Sequence, residues 1–295
     1  NSIIMVGAHL DSVPADQEVY GFLIIQLLNA AGINDDGSGS ALVLELAVQL
    51  AQLRDETVNK IRFAWWGAEE LGLLGSTHYV NSLSQEELEK VLSKHVQIRS
   101  FQEQNDISVY INFDMLASPN FERGVLVPGS TPAPNGSSVL AAMFVDYFNE
   151  AGLHGEIHPL TAAGLWYDSY QAPLDYSTSP PGPFLTAGIP ASGIDTGADH
   201  TKTEEEERFL EVNFSGLDYF LSIKGFANAP LDTCYHQACD TTENIDQTVY
   251  LQFAQAAATV LGKLAMQPDL NAFLGRTFPT TGDFQHETRL VVGNR

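Results

Sequence analysis

Three short runs of nearly unbroken apolar character stand out along the chain: Ser2–His9 (SIIMVGAH), Ile61–Trp66 (IRFAWW) and Val109–Asp114 (VYINFD). Apolar residues on both alternations, with polar ones at the last position, are what a central parallel strand covered on both faces requires. Between the first two runs, Leu42, Leu46, Leu50 and Leu53 recur at helical spacing and predict a helix over Ser38–Leu53. Gly37 and Ser38 provide a suitable start for it. Further helices are predicted at Glu70–Leu83, Gln85–Lys94, Ser137–Ala151, Glu204–Ala227 and Gln247–Leu274. Alternating strands and helices of this kind predict an α/β sandwich. Two stretches break the pattern. Asp16–Ala31 carries the apolar segment FLIIQLL, and Leu165–Pro183 is rich in Pro, Tyr and Ser with no period. Loops of that length are uncommon in a compact domain unless they serve a function. No internal repeat is visible.

Composition narrows the class. With 295 residues, 44% hydrophobic and 17% charged, the chain can bury a sizeable core and reads as folded. Fourteen basic against 37 acidic residues give a net charge of −23. Such a surface repels phosphates and anionic lipid, so neither nucleic acid nor a membrane surface is an expected partner. The longest apolar stretch, Phe22–Leu28, is far short of the ~20 residues of a membrane helix. The chain opens at Asn1 and runs straight into a strand, which reads as a mature or truncated piece. Cys234 and Cys239, five apart, are open to a disulfide, a metal site or chance. No second pair exists to complete a thiolate cage, and the sequons at Asn135 and Asn213 lean towards secretion, where a disulfide persists.

Five short motifs place His and carboxylate side chains at the ends of the predicted elements. They are His9-Leu-Asp11, Asn34-Asp35-Asp36-Gly37, Glu69-Glu70, Asp114 and His236 within Cys234–Asp240. In extended chain, residues two apart point the same way, so the Asp11 carboxylate is expected behind the His9 ring, fixing its tautomer. Open α/β sheets gather their sites at the carboxyl ends of the strands, where three of the motifs lie. Two His and several carboxylates without thiolates suit a pair of zinc-like cations. A two-metal centre needs a shared carboxylate, further ligands for each ion and a separate base, and the motifs supply those parts. Each motif alone has a plainer explanation: a structural strand-end His, a helix start that favours acidic residues, a turn cap. Their joint order is what carries the reading.

Taken together, GAHLDS, GINDDGSGS, WWGAEELGLLGS, YINFDM and CYHQACDT strongly resemble the co-catalytic dizinc aminopeptidases, which include bacterial leucyl aminopeptidases and fungal aminopeptidase Y-like enzymes. The resemblance covers about Ile3–Leu261. It implies a mixed, mostly parallel central sheet sandwiched between helices, as one catalytic domain over 1–275 followed by a tail, 276–295. It implies two zinc ions, His9 and Asp114 on one, Glu70 and His236 on the other, with Asp35 bridging them. Glu69 would be the general base that activates a metal-bridging water, and the Tyr235 phenol would steady the developing oxyanion. A Cys234–Cys239 disulfide and a cis peptide after Asp35 are implied as well. The expected substrate is a peptide with a free amino end, its ammonium held between Glu69 and Asp114, with a leucine-like first residue. A secreted or vacuolar location is expected.

The chain departs from that pattern in three places. The segment that normally precedes the SIIMVGAH strand is missing from it. Asp16–Ala31 lengthens a loop that is short in relatives. Leu165–Pro183 stands where a Gly-Arg-Ser-Asp segment with a substrate-binding Arg is expected. Competing readings are a carboxypeptidase or glutaminyl cyclase on the same scaffold, or a non-catalytic protein that kept the fold. A serine hydrolase is disfavoured because no G-x-S-x-G elbow occurs.

Overall fold

The computed structural model describes residues 2–13, 31–53, 56–92, 107–126, 133–153, 157–159, 181–204 and 226–276. Several expectations fall outside these residues: both long insertions apart from Ala31 and Pro181–Pro183, the interior of the Glu204–Ala227 helix, the sequon at Asn213, and the tail after Arg276.

The three apolar runs form strands β1 (Ile3–His9), β2 (Lys60–Trp66) and β3 (Ile107–Phe113). With β4 (Arg123–Val125), β5 (Ile157–Pro159) and β6 (Ala191–Asp195) they build a six-stranded sheet of order β2-β1-β3-β6-β4-β5. The β1–β2, β1–β3, β3–β6 and β4–β5 pairs are parallel and β4–β6 is antiparallel. The sheet is therefore mixed and mostly parallel, in an α/β architecture. Every residue of β1 and β3 is buried, which is why both read as continuous apolar runs.

Alternation along the strands divides the core in two. Ile4, Val6 and Ala8 of β1 and Val109, Ile111 and Phe113 of β3 belong to one cluster. Helices α1 (Gly37–Ala51), α3 (Ser137–Glu150) and α5 (Gln247–Ala265) contribute Leu42, Phe144 and Phe253 to that same cluster. Ile3, Met5, Trp66 and Tyr110 belong to the other cluster, with Val80 and Leu83 of α2 (Leu74–Leu92) and Phe184 of α4 (Pro181–Thr186). The Tyr110 and Phe184 rings stack there, centroids 4.1 Å apart. Each fully buried large side chain contributes about 1.5–3 kcal/mol of transfer free energy. Both clusters are thus needed to hold the sheet that carries the site.

Two predicted helix boundaries differ from the structure. The expected helices Glu70–Leu83 and Gln85–Lys94 are one helix, α2, which starts only at Leu74. Ala68, Gly72 and Leu73 have positive φ, so Gly67–Leu73 is a turn and cannot begin a helix at Glu70. The long Gln247–Leu274 helix ends at Ala265, and a short α6 (Leu270–Phe273) follows. Pro268 explains the break, since it lacks an N–H and disfavours a helical residue before it. Asp269 restarts the chain by accepting the Ala272 N–H at 3.0 Å.

Helix α1 abuts the end of β3 closely. A Cβ on Gly39 would lie 2.4 Å from the Phe113 carbonyl oxygen and 2.5 Å from Asp36 Oδ1. Gly39→Ala should therefore lower stability by about 1–3 kcal/mol, the usual cost of overpacking. Urea unfolding checks this; an unchanged midpoint would mean that α1 is free to shift.

Candidate metal centre

The site forms where the strands end. β1 delivers His9 as its last residue, Asp114 immediately follows β3, and the turn after β2 carries Glu69 and Glu70. Asp35 precedes α1, and its peptide with Asp36 is cis. His236 comes from the loop closed by the Cys234–Cys239 disulfide. These side chains are far apart in sequence and meet at one rim of the sheet.

Asp35 is the centre of the arrangement. Its Oδ1 lies 3.1 Å from His9 Nε2, and that same nitrogen is 3.6 Å from Asp114 Oδ1. Its Oδ2 lies 3.0 Å from His236 Nε2, which is 3.3 Å from Glu70 Oε1. One carboxylate thus faces two separate sets of donors, one with each oxygen. Asp35 Oδ2, Glu70 Oε1 and His236 Nε2 are buried, and none makes a hydrogen bond. Buried polar atoms that converge without hydrogen bonds are costly unless something binds them. Asp35, Glu70 and His236 could together ligate an ion, which fits a cation at that point.

The Nδ1 side of His9 is also fixed. Nδ1 lies 2.9 Å from the backbone carbonyl oxygen of Asp11 and donates to it, leaving the Nε2 lone pair aimed at Asp35 and Asp114. Here the structure corrects the expectation for Asp11. Its carboxylate is 3.9 Å from the ring and instead accepts the Glu69 N–H at 2.9 Å and the Glu70 N–H at 3.2 Å. The strand ends at His9, so the alternation that would aim the Asp11 side chain at the ring no longer holds. Asp11 shapes the Glu69-Glu70 turn, and its backbone orients the ring.

Electrostatics favour a cation. Burial alone would pull the His9 imidazole down, but Asp114 and Asp35 outweigh it and raise the ring far above its ordinary value. His236 behaves alike: against burial, Asp35 and Glu70 push it up to about 10. Burial would raise Asp35, yet the two imidazoles hold its carboxyl below the usual carboxylate range. Glu69 is pushed up to about 8, first by burial and then by Asp114, Glu70 and Asp35. Tyr235 stacks on the His236 ring with centroids 3.7 Å apart.

Asp36 also lies within ligating reach of His9 and Asp114. Its oxygens are already engaged: Oδ1 accepts from Gly39 N at 2.9 Å and Met115 N at 3.2 Å, and Oδ2 accepts from His9 N at 3.0 Å. It caps α1, so of the two carboxylates Asp36 and Asp114 it is Asp114 that is able to ligate.

Sequence reasoning missed the residues beneath the ligands. Asn34 donates its side-chain N–H to Asp232 Oδ2 at 2.6 Å and Ser118 Oγ at 3.1 Å, while its Oδ1 accepts from Ala117 N at 3.0 Å. Asp240 accepts the N–H groups of Asn34 and Asp35 at 2.9 and 3.1 Å. Asn34 and Asp240 stand inside the quoted motifs, but residue type alone does not separate a ligand from its support. Asp232 and Asn244 carry no sequence signal of this kind.

Comparison with known proteins places the chain in a family. Residues 1–261 match Peptidase family M28. An aminopeptidase of Pseudomonas aeruginosa is 36% identical over 270 residues, covering 90% of this chain and 39% of that protein. Leucine aminopeptidase 2 of Trichophyton rubrum is 32% identical over 269 residues, covering 90% of this chain and 42% of the relative. The chain therefore spans less than half the length of either. A zinc aminopeptidase structure from Bacillus subtilis superposes with a TM-score of 0.54 at 22% identity, covering 91% of this chain and 47% of that one, a likeness of fold.

Proposed function

Because this chain belongs to Peptidase family M28, we propose that it is the catalytic unit of a zinc aminopeptidase that removes the first residue from peptides with a free amino end. The observation that carries this reading is the two-sided placement of Asp35, with His9 and Asp114 near one oxygen and His236 and Glu70 near the other. His9, Asp114 and Asp35 would hold one zinc ion; Glu70, His236 and Asp35 would hold the second. Nitrogen and carboxylate donors without thiolates suit zinc with an open position. Zinc, when bound, polarises the scissile carbonyl and makes water more acidic.

The remaining roles belong to the chain's own side chains. Glu69, partly buried beside the proposed ligand Glu70, takes a proton from the attacking water and returns it to the leaving amine. Glu69 and Asp114 together form an anionic end for the substrate's α-ammonium, which a mid-chain amide does not offer. The Tyr235 phenol stabilises the developing oxyanion from beside His236. A leucine-like first residue completes the substrate. The disulfide supports an oxidising location, secreted or vacuolar. Among the described residues, no helix is long and apolar enough to cross a membrane.

Zinc content measured with the hydrolysis of Leu-p-nitroanilide and of its N-acetyl derivative tests the proposal. About two zinc ions per chain and turnover of the free amine alone are expected. One ion with cyclisation of glutaminyl peptides would indicate the cyclase. Cleavage confined to the carboxyl end would indicate a carboxypeptidase, and zinc without hydrolysis a non-catalytic relative.

A further inference from the structure

The loop that carries His236 also grips the loop that carries Asp35, and it does so through one carboxylate. Asp240 is 1% exposed, and its two oxygens accept successive backbone N–H groups, Asn34 at Oδ1 (2.9 Å) and Asp35 at Oδ2 (3.1 Å). Its own carbonyl oxygen accepts the Ile33 N–H at 3.1 Å. Three consecutive amides are thereby bound to a single residue, four positions from His236. The grip is braced from behind. Asn244 Nδ2 donates to Asp240 Oδ1 at 3.3 Å and to both Asp232 oxygens at 2.9 and 3.0 Å. Asp232 in turn accepts from the Asn34 side chain and from Cys234 N, tying the disulfide loop to the same hub. A buried carboxylate is costly, and here it is matched by N–H donors, two of them backbone amides of the loop that carries Asp35.

We propose that Asp240 is a positioning residue: it fixes the backbone of Asp35 relative to His236, so that the shared carboxylate is in place before any ion arrives. This rests on the zinc reading of the site. Pre-ordering of the two loops raises metal affinity, because binding then need not order them, and supports of this kind typically contribute 10–100-fold. Asp240→Asn is nearly isosteric but sets an amide N–H₂ against one of the two backbone N–H groups, so one contact becomes a donor–donor clash.

Zinc affinity is measured by competition with a chromophoric chelator on the whole chain, for the wild type, Asp240→Asn and the control Asp269→Asn. Asp269 caps α6, and Asn271 of that helix bonds Ser2 and Ser108 at the opposite end of the strands from the site. The control should lose stability but keep its zinc affinity; Asp240→Asn should bind zinc about 10–100-fold more weakly. Affinity within about threefold of wild type would overturn the proposal, 10-fold being the low end of such effects. If Asp240→Asn does not fold, amide hydrogen exchange of zinc-free wild type decides. Protected amides at Asn34 and Asp35 support the clamp, and free exchange there overturns it. A wild type that takes up no zinc removes the zinc reading itself, a result separate from either.

Discussion

Glu69→Gln should lower turnover of Leu-p-nitroanilide by about 10²–10⁴-fold, the usual contribution of a general base, while zinc content stays close to wild type. The substitution keeps the shape of the side chain while removing its charge and its ability to accept a proton. The backbone N–H of Glu69, which the Asp11 carboxylate holds at 2.9 Å, is untouched, so the turn that presents Glu70 should persist. In the metal-free chain burial first, and then Asp114, Glu70 and Asp35, raise the proton affinity of Glu69. Glu70 faces His236 and is a ligand in the proposed scheme, so Glu70→Gln should instead lower zinc content. Steady-state kinetics with metal analysis on both variants separates the roles. Substantial turnover by Glu69→Gln, within about tenfold of wild type, would remove it from the base role, since a base contributes at least ~10²-fold.

Removing zinc with a chelator should lower the Tm by about 10 °C. A ligand bound only by the folded chain contributes about 4 kcal/mol at a thousandfold over its Kd, and a domain somewhat smaller than this one shifts about 2–4 °C per kcal/mol. The site adds its own reason. Asp35, Glu70, Asp114, Glu69 and Asp36 crowd around two imidazoles; burial and then the neighbouring carboxylates raise Glu69, and the same carboxylates raise both His side chains against burial. Without a cation, Asp35 Oδ2, Glu70 Oε1 and His236 Nε2 remain buried with no hydrogen-bonding partner. Differential scanning calorimetry in chelator, followed by zinc titration back to the original transition, checks this. An identical transition in metal-free and zinc-loaded buffer would mean that the folded chain holds no zinc.

Much of the fold is legible along the chain because central parallel strands are apolar on both faces. β1 and β3 could be read to within two residues for that reason. The short β4 and β5 give no comparable signal, since three residues carry no period. The Gly67–Leu73 turn was hidden for a different reason. Its sequence, rich in Glu and Leu, favours helix, and only the Asp11 contacts and three positive φ values override that preference.

By itself the sequence named the six candidate side chains, several of them at strand ends, because chemistry-bearing residue types in a fixed order can be recognised without coordinates. The tertiary structure decided which of them face which. The two oxygens of Asp35 point to different His residues, Asp36 is withdrawn into a cap, and Asp11 works through its carbonyl on one side and its carboxylate on the other. It also decided what holds them, since the Asp240 clamp joins residues more than 200 positions apart. Such assignments depend on the direction of single lone pairs and N–H bonds, and those directions exist only once the chain has folded.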